Sequence, residues 1–137
     1  MATTIRRVQY FYTTIKDRPG EGYRVLSMLA GEQVNLLAFT AVPVGPEHTQ
    51  LTLFPEDQRL FADVMRKAGV TLSGPTLALL VQGDDRLGVL ADIHRKLYDA
   101  EVNVYASTGI TDGRGSYGCL LYLRPEQFER AAEALEV

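Results

Sequence analysis

Two short runs hold the residues from which chemistry could be built: Asp-Arg-Pro-Gly-Glu-Gly at 17–22 and Asp-Arg-Leu-Gly-Val-Leu at 85–90. Each places an acid and a cation just ahead of a glycine, where an apolar-periodic stretch begins. A helix starting there leaves its first N–H groups unpaired and carries partial positive charge, a setting that suits an anion. Gly20 and Gly22 have no side chain to hold a ligand away from the backbone. The amides of Gly20, Glu21 and Gly22 can therefore receive a carboxylate, each charge-assisted bond contributing on the order of 1.5–3 kcal/mol. An ammonium on the same ligand needs acceptors, which the Asp17 carboxylate or the Asn35 side-chain oxygen can supply. In the second run these roles fall to Gly88, Val89, Leu90, Asp85 and Asn103. Arg18 and Arg86 are the cations through which a phosphate would be held instead. The plainer alternative is that Asp17 and Asp85 cap their helices, a role worth about 1 kcal/mol.

Other reactive residues offer less. His48 stands in a turn beside Glu47, and His94 lies on a helix with no second ligand at metal spacing, so no metal is expected. Cys119 alternates within a strand, reads as core, and excludes an internal disulfide framework. The 137 residues are 46% hydrophobic and 23% charged with a formal net charge of −3, which leaves no electrostatic footprint for nucleic acid. Arg6-Arg7, the one basic pair, reads as flanking the first strand. No stretch resembles a signal peptide or reaches the roughly 20 apolar residues of a membrane span, so a cytoplasmic protein is expected.

The elements that position the two runs come from an internal repeat. At a shift of 68 residues (85 − 17), Asp-Arg-Pro-Gly falls on Asp-Arg-Leu-Gly, and Val34-Asn35 with Ala38 and Thr40 falls on Val102-Asn103 with Ala106 and Thr108. Leu29 meets Leu97 and Leu53 meets Leu121, and Leu60 and Val64 meet Phe128 and Ala132, with no gap along the alignment. The first unit reads as a strand at 8–15, a helix at 19–33 with Leu26, Leu29 and Ala30 on its apolar stripe, strands at 35–44 and 49–54, a helix at 57–68 and a short strand at 70–72. Gly74-Pro75 reads as the break before the second unit. There the pattern gives a strand at 76–82, a helix at 87–101 with Leu90, Ile93 and Leu97 on its stripe, strands at 103–111 and 116–123, and a helix at 126–136.

The order β-α-β-β-α-β is that of ferredoxin-like folds. The expectation is thus an α+β protein with units 1–74 and 75–137 in tandem, antiparallel sheets and helices on one face. The second unit lacks an obvious fourth strand. Its bare edge would invite pairing, and the short segment 70–74, a partner chain or nothing at all could cover it.

A strand ending in Asp17-Arg18-Pro19-Gly20, an amphipathic helix, then Asn35 opening the next strand, resembles the ACT domain. Asp85, Arg86, Gly88 and Asn103 repeat the pattern, so the resemblance extends from about Val8 to Val137 as two consecutive units. What it implies is a non-catalytic regulatory protein that binds an amino acid at the junction between units. The loop between first strand and first helix and the second strand of the neighbouring unit would supply the contacts, pointing to residues 17–22 and Asn35, and 85–90 and Asn103. A homo-oligomer, with a dimer favoured, and a regulated enzyme acting in trans are the implied partners, and no cofactor is implied. The units depart from each other where Gly22 faces Leu90 and Pro19 faces Leu87, which makes the first loop the better cradle. A small enzyme of acylphosphatase type and a ligand-free oligomerisation module are the competing readings.

Overall fold

The computed structural model describes residues 3–137, so the first two positions of the expected first unit lie outside the described residues. Six strands and four helices follow in the order β1 (Thr4–Lys16), α1 (Glu21–Gly31), β2 (Leu36–Pro43), β3 (His48–Pro55), α2 (Gln58–Lys67), β4 (Ser73–Asp84), α3 (Val89–Asp99), β5 (Ala106–Thr111), β6 (Ser116–Tyr122) and α4 (Phe128–Ala134). A single 3-10 turn, Pro125–Gln127, leads into α4. The chain divides into two compact units, Gln9–Thr76 and Leu77–Val137, the second also taking the chain's first residues up to Val8.

In the first unit the strands run β2-β3-β1, with antiparallel registers such as Phe11 opposite Leu53, Lys16 opposite His48 and Pro43 opposite Thr49. Alternation sends Phe11, Leu51 and Leu53 to one face, where they meet Val25 and Leu29 of α1 and Phe61, Val64 and Met65 of α2. The second unit repeats this with β4-β6-β5, Leu79 opposite Leu121 and Val81 opposite Cys119. Those four residues pack under Val89, Ile93 and Leu97 of α3 and Phe128, Ala131 and Ala132 of α4. In both units, then, two helices cover one face of an antiparallel sheet. The α1 stripe is built on Val25 and Leu29; Ala30 is exposed. Leu90 is likewise 39% exposed, and Val89 takes its place in the core.

Three expectations change. The edge of the second unit is covered by none of the three candidates. β1 begins at Thr4, earlier than the pattern suggested, and its Thr4–Val8 part belongs to the second unit beside β4. Arg7 holds it there: its guanidinium donates to Glu129 Oε2 at 2.9 Å and to the Val137 carbonyl at 3.1 Å and lies over the Phe128 ring. The basic pair is thus part of the strand, and Arg7 tethers α4. Gly74-Pro75 does not break the chain either, because β4 runs through it from Ser73 and no strand forms at 70–72. Gly74 has φ +117°, and a Cβ there would stand 2.9 Å from the Tyr10 carbonyl oxygen, so only glycine lets the two backbones approach so closely. Finally, the repeat has a gap. Up to β6 the backbone bonds recur at 68: Val34 N–H to the Leu29 carbonyl becomes Val102 N–H to that of Leu97. In the last helix the shift is 67 (128 − 61), since Ala68 to Val64 recurs as Leu135 to Ala131 and Val70 to Met65 as Val137 to Ala132. Phe128 and Ala132 therefore correspond to Phe61 and Met65, not to Leu60 and Val64.

Candidate functional site

The two helix entrances share most of their backbone bonds, although Arg18 N–H also donates to the Lys16 carbonyl at 2.9 Å, with no counterpart at Arg86 among the described residues. Asp17 N–H donates to the Glu47 carbonyl at 2.9 Å and Asp85 N–H to that of Gly115 at 2.8 Å, pinning each loop to the hairpin turn of its own unit. Glu21 N–H reaches the Arg18 carbonyl at 3.3 Å, and Val89 N–H that of Arg86 at 3.2 Å. Gly20 (φ 89°, ψ −13°) and Gly88 (φ 84°, ψ 5°) are the helix N-caps, both left-handed, and neither receives a side-chain cap. That geometry favours glycine, since a Cβ in the left-handed region is strained. Asp17 and Asp85 therefore do not cap.

What remains open follows from this pattern. The Glu21 and Val89 amides are taken by the loops themselves, and the Val89 side chain is core, so these two offer less than expected. The first bonds within the helices are Arg24 N–H to the Gly20 carbonyl and Asp92 N–H to the Gly88 carbonyl. Among the described residues no acceptor meets the amides of Gly20 and Gly22, or those of Gly88 and Leu90. Beside the first loop a cleft of about 300 Å³ is lined by Lys16, Asp17, Arg18, Pro46, Glu47 and His48. Its charges are mixed, two acids against two permanent cations and a histidine. Beside the second loop a shallower groove of about 440 Å³ runs along residues 85–91.

The side chains differ more than the backbones. A Cβ added at Gly22 would meet nothing within 4 Å. At the matching place in the second unit Leu90 lies over β5, its Cδ1 3.1 Å from where a Cβ on Gly109 would stand. The Arg86 guanidinium is engaged with Asp92 at 2.6 Å, whereas Arg18 has no ion-pair partner among the described residues. Glu21 makes only a long i,i+3 pair with Arg24 at 3.7 Å.

Asn35 and Asn103 are not beside the loop of their own unit. α1 carries the chain back along the sheet, so β2 starts at the end far from residues 17–20; Leu36 pairs with Pro55, whereas the loop adjoins Lys16 and His48. Asn35 spends its side chain on Glu56, donating from Nδ2 to Oε2 at 3.0 Å, and accepts the Glu56 amide on its carbonyl. Asn103 precedes β5 and donates its backbone amide to Gln127 Oε1 at 3.1 Å. The two asparagines anchor the stretch before the third element of each unit to the segment that leads into its last helix. Hairpin residues Glu47 and His48, which line the first cleft, were not singled out for a site; the signal for them is the cross-strand pairing of Lys16 with His48.

The remaining reactive groups are accounted for structurally. Burial pushes the Cys119 thiol above its ordinary range, and its side chain is 2% exposed. His94 Nδ1 is 2.8 Å from the Leu90 carbonyl one turn earlier in α3. Among the described residues no group of His, Cys, Asp and Glu has metal-binding geometry, and no helix is long and apolar enough to cross a membrane.

No protein-family model and no curated protein sequence matches the chain. Solved structures do. Protein BT0572 from Bacteroides thetaiotaomicron is similar with a TM-score of 0.83 at 15% identity, over 96% of this chain and 88% of that one. The regulatory subunit of aspartate kinase from Thermus thermophilus, in its ligand-free form, is similar with a TM-score of 0.66 at 15% identity, over 98% and 94%. A structure of aspartokinase alpha and beta subunits gives 0.65 at 16% identity, over 99% and 95%. The likeness spans both units in each case. It shows the fold, the ferredoxin-like arrangement of antiparallel strands with helices on one face in each unit.

Proposed function

We propose that this chain, a tandem ACT-type fold, is a non-catalytic regulatory protein whose first helix entrance receives an amino acid. The observation that carries the reading is the pair of left-handed, side-chain-uncapped helix starts, with the Gly20 and Gly22 amides meeting no acceptor among the described residues. A carboxylate docks on those amides, where the helix end favours negative charge. The ammonium is served by Asp17 and Glu47, which line the adjoining cleft. The regulatory aspartate kinase chain among the structural neighbours supports a regulatory rather than a catalytic output. A ligand there orders the loop and biases a partner, a regulated enzyme in trans or a second copy in a dimer, with coupling of about 1–3 kcal/mol. A cytoplasmic setting belongs to the same proposal. The acylphosphatase-type alternative needs a free arginine at a helix entrance; Arg86 is held by Asp92, which leaves it Arg18 alone.

A thermal-shift screen against the twenty amino acids tests the proposal. One or two of them should raise the midpoint by several degrees at about 100 Kd, where binding adds roughly 2.7 kcal/mol. Gly20→Val, which strains the left-handed cap, should abolish that shift. No response to any amino acid, together with turnover of an acyl phosphate, would favour the enzyme instead.

A further inference from the structure

The last helices of the two units carry opposite charge patterns. Residues 58–67, all of α2, match 125–134, the 3-10 turn with α4, at a shift of 67 (125 − 58). Across that match Arg59 becomes Glu126, Asp63 becomes Arg130 and Arg66 becomes Glu133, so every position charged in both segments is inverted. α2 has Arg59, Arg66 and Lys67 against Asp63, a net of +2; the matching segment has Glu126, Glu129 and Glu133 against Arg130, a net of −2. At 3.6 residues per turn, positions 59, 63 and 66 fall within about 60° of one another, forming one stripe. Asp63 is partly buried and the other five inverted residues are exposed. Asp63 is engaged with Arg66 and with Lys67 at 3.1 Å, and Glu129 with Arg7 at 2.9 Å. Arg59, Glu126, Arg130 and Glu133 have no ion-pair partner among the described residues. Two of these four are also disfavoured by their own helix. Arg59 lies in the first turn of α2, where partial positive charge collects, and Glu133 in the last turn of α4, where partial negative charge does.

We infer that the α2 face of one copy of this chain docks antiparallel on the α4 face of a second copy, with Arg59 opposite Glu133, Asp63 opposite Arg130 and Arg66 opposite Glu126. Charge complementarity selects the occupant. A partner of uniform charge, such as a nucleic acid or an anionic membrane, would be repelled at Asp63 on the one face and along the whole acidic set on the other, whereas a second copy matches all three positions. The antiparallel direction is chosen because it sets Arg59 against Glu133, relieving both helix ends together. Beside the stripe, Met28, Leu60 and Val64 line a groove of about 400 Å³ that Asp63 and Lys67 also border, apolar surface for the docked helix to cover. The contact needs no amino acid and is independent of the helix entrances. Its pairs are exposed, so it is weak and screened by salt.

Sedimentation equilibrium of the full chain without ligand, from micromolar to millimolar, tests the inference. The wild type should associate at low salt and return to monomer at about 1 M, where the Debye length falls to about 3 Å. Dimers and longer assemblies both support the contact, since a face that meets a different face can close or propagate. Arg59→Glu and Glu133→Arg should each weaken association about tenfold or more by setting like charges together. Glu133→Arg brings the net charge of −3 nearer to zero, so its effect cannot come from general repulsion. Combining the two substitutions should restore association, because the pair is rebuilt with its signs exchanged. Both residues are exposed and each reversal suits its helix end, so melting temperatures should hold or rise. Arg114→Glu, on the exposed second hairpin, should leave association unchanged. A monomer at every concentration in low salt, association insensitive to salt or to either reversal, an equal loss in Arg114→Glu, or no recovery in the double variant would overturn the proposal.

Discussion

Above β2 the first unit leaves space at Gly22, and above β5 the second unit closes the same space with Leu90 resting on Gly109. Elsewhere the contrast reverses: the second unit has a cleft with Tyr117 in its lining, and Thr49 and Ile15 stand in the first unit where the second has Tyr117 and Gly83. The backbones, by contrast, share most of their bonds from the loop through both hairpins. The difference teaches how a duplicated fold diverges. Buried amides and carbonyls must be paired in either copy, so the scaffold is held fixed. Side chains that fill or vacate space next to that scaffold can change singly, and each vacancy leaves open surface beside it.

Five substitutions, in three comparisons, test how far this contrast goes. The largest effect is expected in the shared scaffold. Leu29 and Leu97 occupy matching positions and are 1% and 0% exposed, so Leu29→Ala and Leu97→Ala should each cost about 3 kcal/mol in denaturant unfolding. Costs differing by more than about 1 kcal/mol would show that the two cores are less alike than their bonds. A smaller effect is expected from exchanging the filler. Gly22→Leu should stabilise α1 by up to about 1 kcal/mol and weaken amino-acid binding about tenfold, whereas Leu90→Gly should open the second entrance and add a weak site. Calorimetry on both variants reads this out, and unchanged binding in Gly22→Leu would break the contrast.

The smallest effect concerns the hairpins. Asp112 accepts the amides of Arg114 at 2.7 Å and Ser116 at 3.1 Å, and those two bonds hold its carboxyl below the usual carboxylate range; Val44 occupies the matching place in the first hairpin. A depressed native value means the ionised form stabilises the fold above the unfolded value of about 3.9, and that this stabilisation fades as pH falls through the native value. Wild type should therefore exceed Asp112→Ala in stability near neutral pH and converge with it in acid. Amide exchange in the second hairpin checks this, with the first hairpin as the control.

Much of this was legible from residue pattern. The repeat, the order of elements and the loops 17–22 and 85–90 all follow from periodicity and from the Asp-Arg-x-Gly runs, because local spacing carries them. Three features were not local. The strand completing the second unit lies at Thr4–Val8, where Thr4, Arg6 and Arg7 mask the alternation of a strand and no short-range signal names β4 as the neighbour. The one-residue change of register before α4 hides because Leu60 and Val64 are apolar as well as Phe61 and Met65. The pattern offers Asn35 and Asn103 as acceptors near the loops, whereas a helix between two strands returns the chain to the end of its own unit's sheet opposite the loop. For Tyr117 the only hint is its mismatch with Thr49 across an otherwise faithful repeat.

The most direct measurement of the central claim is a 1H–15N NMR titration of the chain with the amino acid that most raises its melting temperature. Saturable shifts of the Gly20 and Gly22 amides, larger than those of Gly88 and Leu90 and needing about tenfold more ligand at Gly20 in Gly22→Leu, are the predicted result. Amides at the first helix entrance that stay unmoved at saturating ligand would contradict it.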